Sequence, residues 1–137
     1  MLSIFYHLGV VQIYFLSEIY LLISAMIFLA DRYGFNVIIL LNVRSFYLAG
    51  KKRQRYFPLL GLVLAAGLLL FPISPGPMVI GDLLPAAAVL FCVFNFVLSL
   101  SGAEHHVSFA GKKDRFLGHF VLFVAIIHFL FPSIVII

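Results

Sequence analysis

Charge is the scarcest property of this chain. Only 10% of its 137 residues are charged, five acidic against nine basic, where a soluble domain carries about 25%. So few polar groups cannot cover a water-soluble core of this size, which predicts a chain dissolved in lipid. Cysteine is nearly absent: Cys92 stands alone, which excludes an intrachain disulfide and a cysteine-rich metal site and leaves the redox compartment unread. Tryptophan is missing altogether. There is no glycine-rich phosphate loop after a strand, no zinc signature and no nucleophile, base and orienting group at a meaningful spacing, so the chain leans away from the enzymes. What is abundant is apolar: 64% of the residues are hydrophobic and the mean hydropathy is +1.20.

Crossing about 30 Å of hydrocarbon takes roughly 20 apolar helical residues. Four runs suit this, Leu8–Ala30, Tyr56–Ile73, Met78–Leu100 and Phe116–Ile137, the third interrupted only by Asp82 and Asn95. After "DRYG" the apolar sequence resumes as "FNVIILL" to Leu41, too short for a comfortable span. It reads as a cytoplasmic extension of the first helix or a broken helical segment around Asp31–Asn42, with a fifth short span as the alternative. The expected fold is therefore an all-α polytopic membrane protein of four transmembrane helices in one integral membrane domain, residues 1–137. The N-terminus has no basic region and no small-residue cleavage site, so it reads as retained structure.

Basic residues set the expected orientation. Arg44, Lys51, Lys52, Arg53 and Arg55 fall between the first and second spans, Lys112, Lys113 and Arg115 between the third and fourth, and "FPISPGPMVIG" between the second and third has none. By the positive-inside rule both basic connections are cytoplasmic anchors of a multi-pass cell (inner) membrane protein, with both termini outside. Beside apolar spans these clusters explain topology and contact with anionic headgroups, not nucleic-acid binding.

A repeat accompanies this layout. "AGKK" occurs at Ala49–Lys52 and Ala110–Lys113, "VRSFYLAGKK" precedes the second span and "VSFAGKK" the fourth, and Phe71-Pro72 and Phe131-Pro132 mark corresponding ends. Two helical hairpins, residues 1–73 and 78–137, would then repeat in parallel about an axis along the membrane normal.

Small and polar residues mark where helices approach one another. In the third span Gly81, Pro85, Ala88, Cys92, Asn95, Ser99 and Gly102 follow at alternating spacings of four and three, a heptad-like seam. Ser17, Ser24 and Asp31 recur every seven residues in the first span, Gly61 and Ala65 pair in the second, and Gly118, Ala125 and Pro132 lie in the fourth.

Ionisable residues inside a membrane point to function, since a charged carboxylate near the bilayer centre costs roughly 2.5 to 3.5 kcal/mol. Glu18 lies near mid-depth of the first span and is the leading candidate for a proton or cation relay, with Asp82 at the outer start of the third span and Asp31 at the inner boundary. A haem held between two imidazoles would call on His7 and His128. Glu104, His105, His106, Asp114 and His119 carry metal-binding atoms, although adjacent histidines point apart on regular backbone. These inner-loop histidines are also the one place for a lipid-modifying activity.

The stretch "LSEIYLLISA", residues 16–25, resembles the opening helix of antiporter-like subunits of respiratory complex I, and four spans with a glutamate in the first are similar in plan to small multidrug transporters. No family residue is carried across from either. The reading that combines these features is a small non-enzymatic membrane protein, an accessory subunit contributing helices to a larger transport or respiratory complex. An autonomous homo-oligomeric proton- or cation-coupled transporter using Glu18 is the alternative, and a haem-binding subunit through His7 and His128 the second. The implied partners are the lipid bilayer and a membrane protein or further copies of the chain.

Overall fold

The computed structural model describes residues 2–71, 83–101 and 112–130, and the side chains of 9–71, 83–100 and 115–130. Everything described is helix or the short turns between helices. Five helices follow one another: α1 (Leu2–Tyr33), α2 (Ile38–Leu48), α3 (Lys51–Leu70), α4 (Leu83–Ser101) and α5 (Lys112–Leu130). Two of them, over Gly9–Tyr33 and Leu83–Leu100, are long and apolar enough to cross a membrane, while Ile38–Leu48 and Arg115–Leu130 are shorter apolar helices.

The break after α1 is chemical. The amide of Gly34 still donates to the Ala30 carbonyl at 2.9 Å, then Asn36 and Val37 both turn back onto the Tyr33 carbonyl at 3.0 and 2.9 Å. A Cβ on Gly34 would overlap the Ala30 carbonyl oxygen and lie 2.5 Å from the Leu41 side chain, so only glycine lets α2 come back this closely. The broken segment expected around Asp31–Asn42 is thus a tight turn followed by a helix packed against α1. Asp31 on α1 and Arg44 on α2 form an ion pair that ties the arm down.

The second junction departs from the expected basic loop. Ala49 closes α2 through its amide to the Ser45 carbonyl at 2.9 Å, Gly50 is already the N-cap of α3, and Lys51, Lys52, Arg53 and Arg55 belong to the opening turns of α3. Lys112, Lys113 and Arg115 likewise begin α5.

α1 touches every other helix, and the most extensive pairings are α3 with α4 and α1 with α5. Ile13 lies at Gly67 and Tyr20 at Gly61, while Phe28 and Leu29 lie at Gly118, so α3 and α5 both run antiparallel to α1. Val93 meets Gly61, and Phe96 meets Phe57 with ring centroids 5.2 Å apart, so α4 runs antiparallel to α3. An axis exchanging α1 with α4 and α3 with α5 would exchange the two major interfaces, placing Gly61 at one crossing and Gly118 at the other.

Aromatic rings fill the middle of the bundle. Tyr20 stacks on Phe57 at 4.6 Å and Phe28 on Phe96 at 5.0 Å, and Tyr47 from α2 reaches both Phe57 and Phe96, at 5.6 and 5.2 Å. Tyr20, Phe28 and Phe96 are fully buried. Centroid separations of 4.5–7 Å are those at which aromatic pairs contribute beyond their buried area.

Candidate functional site at the seam of α1 and α5

α1 buries three of its polar side chains among apolar ones. Ser17, Glu18 and Ser24 are all less than 4% exposed, while Val11, Phe15, Ile19 and Leu22 are 59%, 57%, 37% and 39% exposed. The two serines are satisfied within the helix: Ser17 Oγ donates to the carbonyls of Ile13 and Tyr14 at 2.6 and 2.9 Å, and Ser24 Oγ to that of Tyr20 at 2.8 Å. Such back-bonding lets a hydroxyl sit in a dry interface without a partner helix supplying an acceptor.

Glu18 is different in kind, a carboxyl 3% exposed in the body of the bundle. One helical turn before it, Tyr14 faces the last turn of α5. The Tyr14 hydroxyl donates to the backbone carbonyl of His128 and lies 3.0 Å from Nδ1 of the same residue, with the two rings edge to face at 4.6 Å. A phenol has one proton to give. With that proton on the carbonyl, a hydrogen bond between the hydroxyl and Nδ1 requires the imidazole to donate from Nδ1. His128 is itself only 6% exposed. The seam therefore sets a buried imidazole of α5 against Tyr14, one helical turn from the buried Glu18 carboxyl on α1.

Of the other relay candidates, Asp31 is engaged by Arg44 at the inner end of the bundle, where the Arg44 side chain is 18% exposed and that of Asp31 22%. Burial lowers the pKa of Arg44 from its ordinary value. Asp82 lies outside the described residues. His7 belongs to α1, seven residues and so about 10 Å along the axis before Tyr14, and its side chain lies outside the described part. Tyr14, not His7, stands at the level of His128.

Of the third-span seam, Pro85, Ala88 and Cys92 are buried, Asn95 and Ser99 are half-buried, and Gly81 and Gly102 lie outside the described residues. Asn95 and Ser99 bond to the carbonyls of Phe91 and Phe96 within α4. Phe96 takes the buried place that the heptad spacing gives to Asn95. A straight helix of 3.6 residues per turn drifts about 20° per heptad from a 3.5 repeat, and two heptads carry the buried face from Pro85 and Cys92 onto Phe96. Gly61, Ala65, Gly118 and Ala125 are buried at helix crossings.

His119 is exposed, with Nδ1 2.7 Å from the Arg115 carbonyl and Nε2 3.3 Å from the Tyr33 hydroxyl. Glu104, His105, His106 and the Asp114 side chain lie outside the described residues, and among the described residues no group of three or more His, Cys, Asp or Glu gathers. Of the cationic anchors, Lys51, Lys52 and Arg55 are exposed, Arg53 and Arg115 are half-buried, and the side chains of Lys112 and Lys113 lie outside the described part.

Tyr14 is the site residue that sequence reasoning missed. Its separation of four residues from Glu18 was the available signal, because that spacing places two side chains on one helix face.

A family of unknown function, by its family model, matches residues 10–128, and the chain belongs to it. No curated protein and no solved structure matches the chain.

Proposed function

With membership of that family as the premise, we propose that the chain is a non-enzymatic integral membrane protein that contributes its helices to a larger transport or respiratory assembly. Within that assembly the α1–α5 seam would hold a proton. α1, α3, α4 and α5 are its four spans, α2 is folded back on the cytoplasmic side, and both termini are outside. The observation that carries the reading is the burial of Glu18 one turn from the Tyr14–His128 pair, in a helix whose outward stripe is apolar. Bulky apolar side chains cover the outside of the bundle as well as its core, where a water-soluble bundle turns mostly polar ones outward. The same order holds elsewhere: Phe91, Phe94 and Leu98 on α4, and Phe116, Phe123 and Phe129 on α5, are each at least half exposed.

An ionisable pair in such a position is either a structural link or a proton-handling element. Glu18 and His128 can each take up and release a proton, and Tyr14 anchors the imidazole to α1.

The experiment is native mass spectrometry of the protein taken in mild detergent from its own membrane. Co-purifying polypeptides support the subunit reading and identify the assembly. A defined homo-oligomer alone would move the function to an autonomous proton- or cation-coupled transporter using Glu18. Recovery of the chain in the soluble fraction after a carbonate wash would overturn the membrane reading.

A further inference from the structure

The inner end of the bundle carries a second feature, unconnected with Glu18. α1, α2 and α3 leave between them an open groove of about 780 Å³, walled by Ile23 and Ile27 of α1, Val43 and Phe46 of α2, and Phe57 and Leu60 of α3. Its walls are almost wholly apolar, and its polar side chains include Asn42 and Arg53. Pockets of about 300–1,000 Å³ hold ligands of substantial size. The Arg53 guanidinium lies over the Phe46 ring, 4.0 Å from its centroid, and so marks the groove's charged end.

That end coincides with the start of α3, where the electrostatics run against the helix. Lys51, Lys52 and Arg53 occupy its first turn and Arg55 follows, there is no acid in the first turn, and no side chain caps the Gly50 position. A helix N-terminus presents unpaired amides and the positive end of the helix dipole, so each cation there is unfavourable. Arg53 also bends back beside Gly50: a Cβ at that glycine would lie 2.7 Å from Arg53 Nε. Gly50 thus makes room for a guanidinium at a place where the fold alone would favour a carboxylate. Among the described residues the acid nearest this end is Asp31, and it is engaged by Arg44. Cations gathered against a helix N-terminus, beside an apolar groove and without an acid to balance them, are complementary to an anion that carries a hydrocarbon chain.

We infer that this groove binds an anionic phospholipid of the cytoplasmic leaflet, its phosphate at the first turn of α3 among Lys51, Lys52 and Arg53 and an acyl chain along the groove toward Leu60. Arg53 and Leu60 are seven residues apart, so the chain would run about 10 Å along α3. The inference rests on the membrane reading but not on the proton seam.

The test uses the full-length protein in nanodiscs made from phosphatidylglycerol or phosphatidylcholine with identical acyl chains, released into mild detergent and weighed by native mass spectrometry. Phosphatidylglycerol adducts are expected to survive delipidation in preference to phosphatidylcholine, with each cation removed costing roughly fivefold in retention. The variant K51Q/K52Q/R53Q is expected to abolish that preference, and Leu60→Trp, at a half-exposed position, to lower retention of both lipids by filling the groove. Circular dichroism of each variant confirms the helical fold. Equal retention of the two lipids by the wild type, or an undiminished preference in the triple variant, overturns the lipid site. So does a cross-link from residue 60 to a partner polypeptide instead of lipid. A chain that does not enter nanodiscs overturns the membrane reading together with the lipid site, whereas one that enters without lipid preference overturns the lipid site alone.

Discussion

Adding one methyl group at Gly61 tests the packing at its tightest crossing. An alanine Cβ there would overlap the Tyr20 hydroxyl and lie 2.5 Å from Tyr20 Cζ and 2.6 Å from Val93 Cγ2. Ordinary carbon contacts are about 3.5–4.0 Å, so something must move by about 1 Å. Tyr20 cannot easily yield, being 2% exposed and stacked on Phe57, so α3 must back away from α1 and α4 together. Overpacking of this kind costs about 1–3 kcal/mol, and three buried contacts below 2.7 Å place Gly61→Ala near the upper end. The glycine-to-alanine gain in helix propensity returns about 1 kcal/mol, leaving a net loss of about 2 kcal/mol. For a chain of this length that lowers the midpoint of thermal unfolding by roughly 5–10 °C. Gly9 is the control, because a Cβ there meets nothing within 4 Å, so Gly9→Ala is expected to be neutral or mildly stabilising. Circular dichroism melts of both variants in one mild detergent decide the matter. A Gly61→Ala protein that melts with the wild type would refute the close approach of α3 to Tyr20.

Other perturbations read out different parts of the molecule. Glu18→Gln is expected to preserve the folded bundle and abolish proton-coupled function, measured as flux into vesicles carrying the purified assembly; unchanged flux would remove Glu18 from the relay. Tyr14→Phe keeps the ring contact but deletes the hydroxyl, with an expected loss of about 1 kcal/mol and a change in the His128 tautomer visible by nitrogen NMR. Arg44→Gln leaves Asp31 without its cation in a half-buried place, at an expected cost of about 1–2 kcal/mol, seen as faster hydrogen exchange in α2 but not in α4. Phe96→Ala removes the ring shared by Phe28, Tyr47 and Phe57, and a loss of about 3–5 kcal/mol is expected in denaturant unfolding.

Much of the helical layout could be read from residue types, because apolar runs and small-residue spacing are local properties. Ser17, Ser24, Gly61, Ala88, Cys92 and Gly118 are buried as their spacing suggests. "DRYG" announced a break, but the path after it could not be read. The return of α2 depends on Leu41 fitting against Gly34 and on Arg44 meeting Asp31, contacts that no periodicity encodes. The basic clusters read as loops because charge ends an apolar run. Helix formation does not require an apolar residue, and Lys and Arg are good helix formers, so α3 begins at Lys51. The burial of Glu18 followed from its position in the run, whereas its neighbourhood did not. Which helix meets a given face is decided by tertiary packing, and at Tyr14, one turn before Glu18, it is α5, more than eighty residues further along the chain.

That last pairing bears on how the protein is made. α1 leaves the ribosome well before α5, its most extensive partner. Until α5 has been made, the stripe bearing Tyr14, Ser17 and Glu18 lacks the helix that meets Tyr14. A chain stopped before α5 would present an acidic face to lipid or to the insertion machinery, the kind of flaw that membrane proteases and chaperones detect. Closure of α5 onto α1 would then mark an assembled bundle.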